Sequence, residues 1–547
     1  MTNWLSEHLV ILPILVPLAA AAMMVPLDDR RRPLKAVIGF ISAMITLVSA
    51  FALLGNADAM PPGAGHEASV YLLGNWPAPF GIVLVADRLS ALMLTLTSIL
   101  ILATLVFSVA RWHSAGPHFH PLLQFLLVGL NGVFLTGDLF NLFVFFEVTL
   151  AASYGLVLHG SGSLRVKAGL HYIAVNLAAS SLFLIGVSLI YGATGTLNMA
   201  DLAARTPAVD ASDRMLLEAG AAILGIAFLT KAGIWPLCFW LPGTYSVVAP
   251  PVAAIFSIMT KVGIYVILRL WLMVFGIDAG VSAQLGGSWL LIAGIATVAF
   301  GCIGVLASQD LARLASFNVL ISSGTLLAVI ALGNSAVTGG ALYYLVISTL
   351  AVSALFLLIE LIERGRIAGA DVLAVTAEAL GDEEDDEEVE PVGIAIPAMM
   401  AILGVGFAAC ALLLAGLPPL AGFIAKFLML HAMFLPSPNE AGGGADATTW
   451  VLLAVLLISG LAVMIAMMRA GIRVFWVPLE STVPTVRFLE MVPIAALLFL
   501  LVALTVEAGP VSRFMQTTAE SLHAPRGYVT DVLSAPRVQP ATTEAGP

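Results

Sequence analysis

Apolar residues in this chain of 547 residues come in blocks of roughly 18–25, the length a helix needs to cross a hydrocarbon layer about 30 Å thick. The blocks fall at 5–26, 36–54, 88–111, 120–137, 139–159, 168–192 and 216–241, then at 250–275, 287–308, 313–333, 338–362, 393–433, 449–471 and 487–508. Membrane-spanning strands would alternate apolar and polar positions over about ten residues, and no such alternation runs through this sequence. Charged residues make up 10% of the chain, where a soluble domain carries about 25%. With 60% hydrophobic residues and a mean hydropathy of +1.02, there is more apolar surface than a water-soluble fold of this size can hide. The expected fold class is all-α integral membrane, a bundle of about fourteen transmembrane helices.

The first block lacks a basic leading region and a small-residue cleavage site, so it reads as a retained helix rather than a signal peptide. The block at 393–433 is too long for one straight crossing. Gly416, Pro418 and Pro419 inside it predict a broken or re-entrant helix. Residues 55–87 read as an ordered outer loop. The acidic run Asp382–Glu388 lies in a linker, 371–391, expected to be kept open by self-repulsion. Residues 509–547 are expected to form a flexible tail. Basic residues fix the expected orientation: Arg30, Arg31, Arg32, Lys35, Arg111, Arg165, Lys167, Arg313, Arg364, Arg366, Arg469 and Arg473 share one side if the blocks alternate. Both termini then lie on the opposite, periplasmic or extracellular, face. Cys238, Cys302 and Cys410 all lie within apolar blocks, too far apart in sequence to suggest a disulfide framework or a zinc site, and read as small buried filler.

The chemistry is carried by charge at the centre of apolar blocks, where each ionised group costs at least ~2.5–3.5 kcal/mol unless it is paired or hydrated. Four residues meet that description. Glu147 sits in Phe143-Val144-Phe145-Phe146-Glu147, Lys231 in Phe228-Leu229-Thr230-Lys231-Ala232-Gly233, Lys261 in Ile258-Met259-Thr260-Lys261, and Lys426 in the broken block. An amine held away from water exchanges its proton near neutral pH, and a nearby carboxylate opposes that release. One acid and three bases at similar depth on different helices therefore suit a proton relay of coupled titrating groups. The prolines close to Lys231 and Lys426 fit this reading, because broken helices recur at ion sites. The plainer alternatives are a permanent Glu147–Lys231 salt bridge, and Lys261 and Lys426 snorkelling to an interface or resting on a carbonyl.

Other candidates have weaker claims. Asp138 fits an interfacial helix start as well as a relay, and His171 and Lys167 fit an anchor as well as a proton entry. Asp310 and Arg313 read as cap and anchor, Glu360 and Glu363 as solvated groups, and His431 as interfacial or exit-side. No motif for a nucleotide, zinc or haem is present, so no cofactor or metal is expected and a gradient or a partner subunit must supply the energy.

Taken together, Phe146-Glu147, Lys231-x4-Pro236, Trp240-Leu241-Pro242, Gln309-Asp310-x-x-Arg313-Leu314-Ala315-Ser316 and Gly416-Leu417-Pro418-Pro419-x-Ala421-Gly422-Phe423-x-x-Lys426 resemble the antiporter-like subunits of respiratory complex I and the Mrp-type cation/proton antiporters. Lys426 places the resemblance nearer the Mrp branch than the complex I subunit with glutamate there. The resemblance implies two inverted five-helix repeats, 120–275 and 287–471, between N-terminal helices at 1–111 and a last helix at 487–508. It implies that the seventh and twelfth helices are broken, that Glu147 and Lys231 couple, that Lys261 bridges and that Lys426 serves the exit half. Implied partners are other membrane subunits, the lipid bilayer, protons and Na⁺ or K⁺, with no nucleic acid. Two positions depart from the pattern. Gly243 stands where relatives often carry Asp. The eleventh block has neither the His nor the Lys of many relatives, which leaves Ser348, Thr349 and water to carry the middle of the relay. A redox-driven membrane arm of the complex I type would use the same relay, and a stand-alone carrier of an organic solute would need a roomy midplane pocket.

Overall fold

A computed structural model describes residues 7–60, 67–364, 398–435, 447–476 and 486–537. The acidic linker 371–391, Arg366 and the last ten residues lie outside the described residues. The helices are α1 (Leu12–Met24), α2 (Arg32–Ala59), α3 (Arg88–Val109), α4 (Phe119–Leu135), α5 (Leu139–Val157), α6 (Ser163–Thr194) and α7 (Ala211–Ala232). They continue as α8 (Pro250–Val274), α9 (Gly287–Ala307), α10 (Leu311–Ile330), α11 (Ser335–Glu363), α12 (Ala398–Ala415, resuming as Ala421–Met433), α13 (Ala447–Phe475) and α14 (Phe488–Val506). Twelve are long and apolar enough to cross a membrane, and α1, α4 and the second part of α12 are shorter apolar helices. The protein is a multi-pass helical membrane protein.

Burial sorts the helices. α8, α10 and α11 are almost wholly enclosed and α3 largely so, whereas α2, α6, α9, α13 and α14 show more than half of their apolar length at the surface. Many buried hydroxyls and amides bond to carbonyls one turn back, as Thr95 does to Ala91 on α3, Asn318 to Leu314 on α10 and, on the inward face of α6, Asn176 to Tyr172.

Contacts at the two ends show which loops lie together. At one end, Arg487 donates to the Ala110 carbonyl, Arg364 pairs with Glu360 and Glu490 at 3.1 and 2.7 Å, and Arg165 donates to the Val247 carbonyl. Glu360 is therefore bridged by Arg364 and by the Trp112 indole rather than solvated as expected. At the other end the loop after α2 forms an antiparallel hairpin, β1 (Ser69–Leu72) with β2 (Val83–Ala86), a small departure from an all-α chain.

The expected flexible tail is corrected by the structure. After α14 the chain forms α15 (Ala508–His523) and α16 (Arg526–Leu533), which fold back over the hairpin end. Asp531 accepts the Glu67 and Ala68 amides at 2.6 and 3.0 Å, and Arg526 pairs with Asp278. Proline, threonine and alanine content suggested a loose extension. However, Met515, Ala519, Leu522, Tyr528 and Val532 recur at helical spacing and are buried.

Beneath this cap, Asp87 at the start of α3 holds Arg269 of α8 at 2.7 Å. Arg269 also donates to the Tyr265 hydroxyl, which donates to the Phe134 carbonyl, and the Tyr528 ring covers the guanidinium at 5.2 Å. Removing one member of a buried pair strands the other charge, at a cost of about 3–5 kcal/mol. Asp87→Ala is expected to lower the thermal midpoint of the detergent-solubilised protein correspondingly, and adding Arg269→Met to restore most of the loss. Equal midpoints for all three proteins would contradict this.

Candidate functional site

α7 stops at Ala232 because Gly233 adopts the left-handed conformation, φ 69°, which a side chain disfavours. The Ile234 amide returns to the Leu229 carbonyl and the Gly233 amide to Thr230, closing the helix end. Lys231 is thus in the last helical turn, where partial negative charge on the terminal carbonyls favours an ammonium. The break comes at Gly233, before the prolines that suggested it. Lys231 is 7% exposed, and its Nζ stands 5.0 Å from the centroid of the Phe146 ring on α5, a cation–π contact. Beside it is a cavity of about 20 Å³ lined by Phe146, Thr149, Tyr172, Asn176 and Trp240 among others, room for one water.

Glu147 follows Phe146 on α5 and is half-buried, close enough for its charge to act on Lys231. Among the described residues no ion pair joins the two, and Glu147 Oε1 is buried without a hydrogen-bond partner. A permanent salt bridge is therefore not the arrangement seen. A buried carboxylate oxygen without a partner is costly.

Lys261 is the most enclosed of the three lysines, at 1% exposure. Residues Ser257 and Ile258 interrupt α8 just before it, between Pro250–Phe256 and Met259–Val274. Its Nζ meets the Thr260 hydroxyl at 3.4 Å. This depth excludes snorkelling.

Lys426 repeats the Lys231 arrangement with the sequence order reversed. α12 breaks at Gly416, φ 77°, and resumes at Ala421. Lys426 lies on the second part and reaches back across the break, donating to the Ala415 carbonyl at 2.8 Å and lying 3.5 Å from that of Leu414. Both lysines thus occupy the carbonyl end of a broken helix, although one precedes its break and the other follows it. In each break a threonine on another helix catches a freed amide. Thr297 of α9 accepts from Trp235 at 2.9 Å, and Thr505 of α14 accepts from Ala421 at 2.9 Å.

The remaining expected residues fall elsewhere. Asp138 caps α5, accepting the Asn141 amide at 2.9 Å at the hairpin end. His171 is exposed on α6 while its neighbour Tyr172 faces the Lys231 cavity. Ser348 and Thr349 are buried on α11. Asp310 caps α10, and His431 is exposed beside the Phe427 ring. The three cysteines are free and buried, and Cys302 lies within electrostatic reach of Lys426. Sequence reasoning did not select Tyr172 or Asn176, and it quoted Trp240 only as part of the Trp240-Leu241-Pro242 motif, not as a lining residue of this site. Nothing but the i,i+4 spacing of two polar residues, Tyr172 and Asn176, within an apolar block could have found them.

Comparison with known proteins places this geometry. Residues 136–442 match the family described as NADH:quinone oxidoreductase/Mrp antiporter, TM. The chain is 60% identical over 540 residues to a probable K⁺/H⁺ antiporter subunit of Rhizobium meliloti, covering 98% of this chain and 99% of that one. It is 34% identical over 533 residues to a Na⁺/H⁺ antiporter subunit of Alkalihalophilus pseudofirmus, covering 96% and 99%. A chain in the structure of the Mrp complex from a Dietzia species superposes with a TM-score of 0.80 at 27% identity, over 97% of this chain and 99% of that one.

A methyl group on Gly416 would stand 2.9 Å from Lys426 Cε, and a left-handed backbone costs an ordinary residue about 1–2 kcal/mol. Gly416→Ala is expected to destabilise the solubilised protein by at least that much, measured by thermal unfolding. Gly404→Ala on the same helix, where a methyl group has room, serves as the control and should not destabilise it. Indistinguishable variants would contradict the break described here.

Proposed function

Because the chain belongs to the NADH:quinone oxidoreductase/Mrp antiporter transmembrane family, we propose that it is the proton-translocating subunit of a hetero-oligomeric monovalent cation/H⁺ antiporter. It is a transporter subunit and not an enzyme. The exchanged cation is K⁺ or Na⁺, the two named for the relatives above. The observation that carries the reading is the placement of Lys231, Lys261 and Lys426, all buried and none held in an ion pair among the described residues. A lysine fixed in an ion pair anchors helices, whereas one resting on carbonyls, a ring or a hydroxyl can give up its proton and remain satisfied.

In this account Glu147 is the acid that tunes Lys231. When Glu147 is ionised it holds the proton on Lys231; when it is protonated or turned away, Lys231 releases the proton towards Lys261. Lys426 receives it in the second half. Asp138 and His171, at the hairpin end and on the outer face, take no part. α4–α8 and α9–α13 act as inverted repeats, a reading supported by the lysine and helix break that α7 and α12 share, each break with an amide caught by a threonine of another helix. The end with Arg111, Arg165, Arg364 and Arg487 faces the cytoplasm. Arg30, Arg31, Arg32, Lys167, Arg313, Arg469 and Arg473 belong to loops and helix ends on that same side, and an excess of lysine and arginine marks the cytoplasmic face. Both termini then lie in the periplasm, with the chain in the inner membrane beside the other subunits of its complex. Near-full-length identity to an antiporter subunit favours this over a redox-driven membrane arm.

Everted vesicles carrying the complete set of subunits test the reading through K⁺- and Na⁺-driven dissipation of ΔpH. Glu147→Ala and Lys231→Ala are each expected to bring exchange down to the level of vesicles without the complex, while the subunits still co-purify. Exchange at the unaltered rate in both variants would overturn it.

A further inference from the structure

We propose that Asn176 of α6 is a positioning residue of the relay: it holds a single water against Lys231, which donates to that water, and so sets how firmly Lys231 keeps its proton. The inference rests on the proposed antiport function and adds to it a side chain that no feature of the sequence singled out.

Two groups with unmatched hydrogen-bonding capacity face one small cavity. Lys231 and Asn176 both line the space of about 20 Å³ beside the Phe146 ring, which has room for one water. An ammonium carries three N–H donors, yet among the described residues Lys231 gives no hydrogen bond to any side chain or carbonyl. Asn176 is 4% exposed and donates through Nδ2 to the Tyr172 carbonyl at 2.9 Å, one turn back on α6. That bond fixes the amide and leaves Oδ1 over, and among the described residues Oδ1 accepts no hydrogen bond. One water between the two satisfies both, accepting from the ammonium and donating to Oδ1.

The rest of the polar wall points the same way. Thr149 donates to the Phe145 carbonyl at 2.8 Å and the Trp240 indole to the Thr230 carbonyl at 3.2 Å. Ser153 Oγ lies 3.0 Å from the Leu150 carbonyl and 2.7 Å from the Tyr172 hydroxyl; with its one hydrogen on the carbonyl, it takes the hydrogen of Tyr172. The hydrogens of the wall are thus directed elsewhere, and an oxygen is what it offers to an ammonium and its water. Of the lining residues only Lys231 and Tyr172 titrate. Glu147 acts on Lys231 from α5, Lys261 lies on α8 between the lining residues Met259 and Val262, and Tyr245 gives its hydroxyl to the Phe256 carbonyl at 3.0 Å.

The test is the pH profile of exchange in everted vesicles carrying the full complex. Asn176→Leu replaces the amide by an apolar group and removes the acceptor. Lys231 then keeps its proton less firmly, and the optimum of exchange is expected to move to lower pH by about one unit, the size of one hydrogen bond to a charged group. Asn176→Asp retains the oxygen and adds negative charge, and is expected to move the optimum to higher pH. A role in packing alone would lower the rate without moving the optimum. If neither variant moves it while Lys231→Ala is inactive, the water site is wrong and the antiport reading stands. If Lys231→Ala exchanges at the unaltered rate, the failure belongs to the antiport reading.

Discussion

An ammonium in hydrocarbon must rest on something that can hold charge; here Lys426 rests on the carbonyl end of a broken helix and Lys231, in the last turn of another, lies against the Phe146 ring. Breaking a helix within a membrane frees backbone groups that have no water to turn to. The protein meets both demands together. Carbonyls left over at Ala415 and Leu414 receive Lys426, and threonines on other helices take the freed amides of Trp235 and Ala421. Gly233 and Gly416 make the breaks possible. Among the described residues these lysines have no fixed counter-charge, the condition that the proposed relay requires.

The same economy shapes the enclosed centre. A His or Lys on α11 would add a charge to a helix that no solvent reaches. Ser348 and Thr349 keep that helix polar at a far smaller desolvation cost. At the hairpin end charge is handled differently. Asp87 and Arg269 form a close pair beneath Tyr528, fastening α3, α8 and the returning C-terminal helices. Ion pairs build structure there, while among the described residues Lys231, Lys261 and Lys426 enter none.

Block length and hydropathy made the helical membrane fold legible, because a membrane imposes a length on every crossing. The four central charges were legible for the same reason: charge in an apolar block stands out. The hidden features were those whose signal is ordinary in any sequence. Tyr172 and Asn176 are ordinary residue types, and only the packing of α6 turns them inward. His171 attracted notice for its chemistry, yet the helix phase points it outward. The tail misled because α15 and α16 are too polar to register as spans, and what holds them is packing against one end of the bundle. The order of Lys231 and Lys426 relative to their breaks concealed a common arrangement that appears only once Lys426 is seen reaching back to Ala415.

The central claim is that the proton on a buried lysine moves, and Lys231→Arg tests it most directly. A guanidinium retains the positive charge, the place at the end of α7 and the contact with the Phe146 ring, but it does not release its proton. The account predicts an assembled complex without cation-driven proton exchange in everted vesicles. Exchange at the unaltered rate would show that Lys231 serves as a fixed charge and would contradict the relay.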